Sequence, residues 1–154
     1  MKKALNFILL FAMLLAVGCR AVYVEIEPPT LRKEQVWKLV EIQGRKVERR
    51  AAPVTIVFNP ENGTLRGQAA CNGYNADYKL ESRRVDAKTS SDWCALSVGD
   101  ISHTAVQCPD AEMNAEARYL ARLAKCTQLA LADAGNTLML GHKDKPVLVF
   151  ELQQ

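Results

Sequence analysis

The chain has 154 residues, 49% of them hydrophobic, and its 20 Lys and Arg residues against 17 Asp and Glu residues give a formal net charge of +3. This length suits one domain with a sizeable core. The basic residues are not interleaved with aromatic ones, which argues against a nucleic-acid-binding surface. The local basic cluster Arg45, Lys46, Arg49 and Arg50 is interpreted as solvated loop charge.

Residues 1–18 are predicted to be a secretory signal peptide. Lys2 and Lys3 form a basic head, and residues 5–17 are an apolar run broken only by Asn6. This run is too short and wrongly flanked for a membrane-spanning helix. Lys2 and Lys3 also supply two of the three excess positive charges, so the exported chain is nearly neutral.

The sequence LAVGC at residues 15–19 resembles the bacterial lipobox, although Ala16 stands where Leu is usual. In this interpretation the signal is cut before Cys19, and the Cys19 sulfur carries a lipid that anchors the chain to a membrane. Arg20 is not Asp, so the inner-membrane retention cue of many enteric lipoproteins is missing. We therefore expect a location at the outer membrane facing the periplasm. The alternative is an ordinary secretory signal with an incidental cysteine.

The four other cysteines are predicted to form two disulfides, because an even number in an exported chain is typical of a disulfide framework. Four cysteines allow three pairings. A zinc site is not expected, since no two cysteines have the C-x₂-C spacing and His103 and His142 do not lie at ligand spacing. We predict neither a metal nor a cofactor. These cysteines are Cys71, Cys94, Cys108 and Cys126.

Residues 19–34 are predicted to be the lipidated cysteine and a tether, and residues 35–154 a β domain. Pro28 and Pro29 make the tether stiff and prevent regular strand pairing. An extended chain spans about 3 Å per residue, so the tether would hold the domain some tens of ångströms from a membrane.

Apolar residues recur mostly with period two from residue 36 onward, which predicts β-strands. Gly44, Asn62-Gly63 and Ala134-Gly135-Asn136 mark turns, and the polar residues 81–93 are interpreted as a long loop. Alternation predicts one shared core, made of Trp37, Ile56, Phe58, Leu138, Leu140, Leu148 and Phe150.

Residues 109–125 break this pattern and predict a helix, capped by Asp110, that covers one opening of the β structure. A partner-binding helix is the alternative. The spacing of its apolar residues is helical: Met113, Ala117, Leu120, Leu123 and Ala124.

Catalytic signatures are poor, so we predict that the chain is not an enzyme. Ser102 and His103 are adjacent, and neighbouring residues of a strand point to opposite faces. The sequence contains no G-x-S-x-G, no H-E-x-x-H and no phosphate-binding glycine loop. A catalytic cluster of carboxyl groups would need several acidic residues to lie together in the fold, and nothing in the sequence requires this of Asp92, Asp100, Asp110 and Glu112.

An ordered set of segments resembles the META domain of the heat-shock HslJ-like proteins over residues 35–152. The segments are WKLVEIQG (37–44), VTIVF (54–58), GQAACN (67–72), TAVQCP (104–109), EARYLARL (116–123), LML (138–140) and LVF (148–150). The chain departs from the family pattern at Ala70, where Gly is usual, at Val106, where Met is usual, and in an insertion at residues 81–93.

The resemblance implies a mainly β fold, a small antiparallel barrel or roll with one covering α-helix. It also implies structural roles for the family motif residues, with Asn72 tolerating a left-handed turn conformation. The motif residues are Trp37, Gly44, Asn72, Thr104 and Glu116.

The family-like pattern contains Cys71 and Cys108, which we therefore expect to pair, leaving Cys94 and Cys126 as a second pair. The rival pairing would join Cys108 to Cys126 across the two ends of the predicted helix, about 24 Å apart, which is too far for a disulfide.

Family members are often envelope proteins linked to stress or virulence. The expected function is a non-catalytic, stress-related binding or structural module of the bacterial envelope, with an unidentified envelope protein as a possible partner. The alternative is an accessory or pilot lipoprotein that assists an outer-membrane assembly.

Overall fold

A computed structural model describes residues 21–47, 53–89 and 91–153 of the chain. The predicted signal peptide and Cys19 lie outside the described residues, as do Arg49 and Arg50 of the basic cluster. The strands are β1 (Tyr23–Ile26), β2 (Trp37–Ile42), β3 (Arg45–Lys46), β4 (Thr55–Asn59), β5 (Thr64–Ala69), β6 (Asn72–Glu81), β7 (Arg83–Asp86), β8 (Cys94–Val98), β9 (Ser102–His103), β10 (Gln128–Ala132), β11 (Thr137–His142) and β12 (Lys145–Leu152), and the helix is α1 (Asp110–Leu123).

Eight antiparallel strands form a closed barrel in the order β2, β4, β5, β6, β8, β10, β11 and β12. The barrel closes because β12 pairs back onto β2, with Phe150 opposite Leu39 and Leu152 opposite Trp37. The predicted fold class, mainly β with one helix, is confirmed. Closure removes the free sheet edges that would otherwise need protection.

The barrel interior is a packed core. All seven residues of the predicted core are at most 2% exposed, so the predicted strand faces are confirmed. The same cluster contains Leu65 of β5, Leu129 of β10 and Tyr119 of the helix. Since the interior is filled by side chains, a ligand of any size must bind outside it.

The predicted turns are formed, and backbone conformation explains their residues. Gly44 and Gly63 have φ angles of 78° and 66°, in the left-handed region that glycine adopts without strain. The turn between β5 and β6 is kept although Ala70 stands where the family has Gly, and Ala70 adopts a φ of 63°. The left-handed residue is therefore Ala70, and the expectation for Asn72, which lies in β6, is wrong.

Helix α1 begins directly after Pro109, and the predicted side-chain cap by Asp110 is not formed. The predicted apolar face is also wrong in part, because Met113 is 36% exposed and Ala117 is exposed. The buried face carries Glu116, Tyr119 and Leu123. The helix is rotated from the expected position because the Glu116 carboxylate binds a partner inside the fold.

Parts of the predicted tether and of the predicted long loop pair with each other. Strand β1 runs antiparallel to β7, with Val24 opposite Val85, and Val85 is buried. Pro28 and Pro29 follow β1 and therefore do not interrupt its ladder. Leu31 is buried in the core, so ordered structure reaches well into the segment expected to be a free tether.

Candidate functional site

Asn72 is the centre of a buried polar cluster beside the start of the helix. Its backbone N–H donates to Glu116 Oε2 at 2.8 Å, and its Nδ2 donates to Glu116 Oε1 at 3.1 Å. Its Oδ1 accepts from Thr104 Oγ1 and from the Val106 N–H, both at 2.8 Å. One amide thus ties the β5–β6 turn, the segment before the helix and the helix itself together.

Glu116 is 3% exposed and Asn72 1% exposed, so the cluster is shielded from water. Both Glu116 oxygens accept hydrogen bonds from Asn72. His103 lies at the rim, with Nδ1 at 3.7 Å from Glu116 Oε1 and 2.9 Å from the Thr104 carbonyl oxygen. Because the hydrogen bonds of Asn72 and Glu116 are made within the protein, the cluster is built to hold three segments together rather than to bind a ligand.

The Cys71–Cys108 disulfide lies beside this cluster, and its Cα atoms are 6.2 Å apart. The expected Cys94–Cys126 bridge is not formed, and both residues are buried free thiols. Cys94 is opposite Leu129 in the β8–β10 ladder, three residues beyond Cys126. Cys126 lies before Gln128, the first residue of β10, and outside the paired part of the ladder, so the two thiols are not opposite each other.

Two tyrosines join the helix to the barrel wall. The Tyr74 and Tyr119 hydroxyls are 2.5 Å apart, and the Tyr74 hydroxyl also donates to the Thr55 carbonyl oxygen at 2.9 Å. Burial raises the pKa of both phenols above the usual value. Both side chains therefore stay neutral at physiological pH and act as hydrogen-bonding core residues.

Residues with catalytic or metal-binding potential are not gathered in the described part of the chain. No group of three His, Cys, Asp or Glu residues there could hold a metal ion. Ser102 and His103 lie side by side in the short strand β9 and are both exposed. Within the described residues, no helix has the length and apolar character needed to cross a membrane.

A cleft of about 550 Å³ opens between helix α1 and the β2–β3 hairpin. We call it the mouth cleft; apolar side chains form its floor and cations its wall. Its volume lies in the range of small-molecule sites. It is lined by Leu39, Ile42, Gln43, Arg45, Lys46, Val47, Val54, Ala115, Arg118, Tyr119 and Arg122.

Hydrogen bonds hold the Arg122 guanidinium at the mouth cleft. Its Nε and Nη2 donate to Gln43 Oε1 at 3.1 and 3.0 Å, and its Nη1 donates to the Arg118 carbonyl oxygen at 2.9 Å. The two acceptors, an amide oxygen and a backbone carbonyl oxygen, are neutral and do not cancel the charge of Arg122. Arg118 uses its Nε on the carbonyl oxygen of Asn114, one helical turn earlier.

Sequence reasoning found the polar cluster but missed the mouth cleft. The family pattern singled out Asn72, Thr104 and Glu116, and the structure brings these three into contact. Trp37 lies at the closing seam of the barrel, and Gly44 forms the β2–β3 turn. The basic cluster was the one available signal for the cleft, because Arg45 and Lys46 both line it.

The model of the META domain family matches residues 29–154, and the chain belongs to that family. No curated protein matches the chain in sequence.

Among solved structures, an NMR structure of a protein from Burkholderia xenovorans is similar, with 19% identity and a TM-score of 0.57. The alignment covers 90% of this chain and 97% of that one. A second NMR structure has 17% identity and a TM-score of 0.51, covering 78% of this chain and 90% of that one. At these identities the likeness concerns the fold alone.

Proposed function

We propose that this protein is a lipid-anchored, stress-related protein of the bacterial envelope whose META domain is a non-catalytic binding module. The lipobox-like segment at residues 15–19 supports the anchor on Cys19, and Arg20 in place of Asp supports a location at the outer membrane facing the periplasm. Membership of the META family supports the envelope and stress-related role, since family members are often envelope proteins linked to stress or virulence.

The mouth cleft is the observation that carries the binding role. The filled barrel leaves no interior chamber of the kind in which barrel proteins hold a ligand, whereas the cleft combines an apolar floor with fixed polar groups. Convergence of apolar surface and a few oriented polar groups is typical of binding sites. Among the described residues the cleft is lined by no Ser, Thr, Cys, His, Asp or Glu, which supports binding without catalysis.

A second candidate is the accessory or pilot role, in which the domain escorts another envelope protein. Two apolar residues near the start of the helix favour it, since Val106 is 59% and Met113 36% exposed. Exposed apolar side chains are a common feature of protein-contact surfaces.

Metabolic palmitate labelling of intact cells tests the anchor. We expect label in the wild-type chain and none in Cys19→Ala, which should be released or remain unprocessed. Equal label in both chains would contradict lipidation at Cys19.

Crosslinking of the lipidated chain in intact cells, followed by affinity capture, tests the binding role. Capture that is lost in Arg122→Gln supports the mouth cleft as the binding site, and capture lost in Met113→Ser favours the pilot role. If neither change alters what is captured, the domain does not bind through either surface.

A further inference from the structure

We infer that the mouth cleft binds a single-chain anionic amphiphile, an alkyl or acyl chain that carries a phosphate head group. This inference rests on the proposed function, because it names the ligand class of that binding site. The floor, the wall and the charge balance of the cleft each point to one part of such a ligand.

The floor of the mouth cleft suits an alkyl chain. Ile42, Val47 and Ala115 are partly exposed and present aliphatic surface, and the buried Tyr119 lines the cleft as well. Removing a hydrocarbon chain from water onto such a surface is favourable in proportion to the apolar area covered. A volume of about 550 Å³ is the size of a site for one small molecule.

The wall of the mouth cleft suits an anionic head group. Arg118 and Arg122 lie one helical turn apart on α1, and Arg45 faces them from the β2–β3 hairpin. A guanidinium offers five N–H donors in a planar fork that matches phosphate oxygens. Arg122 uses three of its donors within the protein, so two remain for a ligand on a side chain whose position is already fixed.

The arginines of the mouth cleft lack acidic partners in the part of the chain that the structure describes. No carboxylate lines the cleft there, and none of the ion pairs found involves its arginines. Glu41 is opposite Lys46 in the β2–β3 ladder and offsets that lysine, so the three arginines carry the excess charge. An anion is the ligand that this potential attracts.

Photoaffinity labelling tests the inference on the full, lipidated chain in nanodiscs of phosphatidylcholine. The probe is an alkyl phosphate with a diazirine in its chain, and mass spectrometry locates the label. We expect labels on residues 39–47 and 115–122. An excess of octyl phosphate should abolish them, whereas octyl glucoside and inorganic phosphate should each compete at least tenfold less well.

Charge variants provide the matched comparison. Arg118→Gln and Arg122→Gln should each lower the labelling at least fivefold, whereas Lys125→Gln, which removes an exposed cation just beyond the same helix and outside the cleft, should leave it unchanged. Arg118 is exposed, so its variant keeps the test valid if Arg122→Gln does not fold. Circular dichroism of each variant checks the fold.

Three results would overturn the inference. They are equal competition by the neutral octyl glucoside, equal competition by inorganic phosphate, or labelling that neither arginine variant lowers. None of these results changes the outcome of the cellular capture experiment, which tests the proposed function separately. A cleft that takes no amphiphile but captures an envelope protein through Arg122 would remove this inference and leave the proposed function intact.

Discussion

Asn72 shows why an amide, and no other side chain, fits the centre of the polar cluster. The position needs a donor toward the Glu116 carboxylate and an acceptor toward Thr104 and Val106. An aspartate in its place would lack the donor and add a second negative charge, and a serine is too short to reach both sides. The family pattern identified these residues, but it did not show that they contact each other.

Asn72→Ala should lower the free energy of unfolding by about 2–4 kcal/mol, because it leaves several buried polar groups without partners. Asn75→Ala is the control, since Asn75 lies on the same strand but is exposed. Urea denaturation of both variants measures the difference. A cost below about 1 kcal/mol for Asn72→Ala would mean that the cluster adds little to the fold.

Strands with a clean alternation of apolar and polar residues were predictable from sequence, and those without it were not. Strand β4 buries every second residue, and so do the central parts of β11 and β12, at Leu138 and Leu140 and at Leu148 and Phe150, so their faces could be read directly. Strand β7 has the sequence RRVD and buries only Val85. It pairs with β1 in a two-stranded ribbon that lies outside the barrel sheet. Its local pattern therefore resembled a loop.

The mouth cleft was beyond sequence reasoning for a different reason. Gln43 and Arg122 are 79 residues apart and meet only once the helix packs across the barrel. The helix period was recognised correctly, yet the buried face could not be chosen. Glu116 reads as a surface residue until Asn72 is placed beside it.

Gly67 on β5 and Gly73 on β6 give a matched test of the β4–β5–β6 packing. A Cβ atom at Gly67 would lie 1.9 Å from the Thr55 carbonyl oxygen, whereas one at Gly73 would meet nothing closer than 3.8 Å. Gly67→Ala should therefore cost about 2–3 kcal/mol, because the strand must shift. Gly73→Ala should change stability by less than about 0.5 kcal/mol. Equal losses in thermal melts would refute this view of the strand contact.

The disulfide connects Cys71 in the β5–β6 turn to Cys108, which lies two residues before the helix. Peptide mapping without reduction should find one link, Cys71–Cys108, with Cys94 and Cys126 reacting with an alkylating agent only after unfolding. Replacing both Cys71 and Cys108 by Ala should cost about 3–4 kcal/mol, as expected for closing a loop of this length. Recovery of a Cys94–Cys126 peptide from the native protein would contradict the structure.

At the scale of the whole molecule, the closed barrel excludes water from its core, so its stability depends on the ionisable groups that are buried there. Burial raises the pKa of Cys126 to about 12 and also raises that of Cys94. The thiols are packed among apolar side chains, so their charged forms are disfavoured in the folded state. The phenols of Tyr74 and Tyr119 are held neutral by the same burial. The barrel is therefore expected to lose stability in alkali while the Cys71–Cys108 disulfide is still intact.

The sign of this pH dependence follows from proton linkage. In the unfolded chain the Cys126 thiol ionises with a pKa near 9.0, whereas in the folded barrel it stays protonated, so unfolding releases a proton above that pH. Its stabilising contribution is complete below pH 9 and declines as the pH rises toward the folded value. Between pH 8 and 10 the loss from this group alone should be about 1.4 kcal/mol.

Urea denaturation at pH 8 and at pH 10, carried out on the wild type and on Cys126→Ala, measures this contribution. The variant should lose about 1.4 kcal/mol less than the wild type over that interval, whatever its absolute stability. Phenol ionisation adds to the loss mainly above pH 10, since an unperturbed tyrosine titrates near that value. The same decrease in both proteins would show that Cys126 is accessible to water, and the packed core described for this end of the barrel would then be wrong.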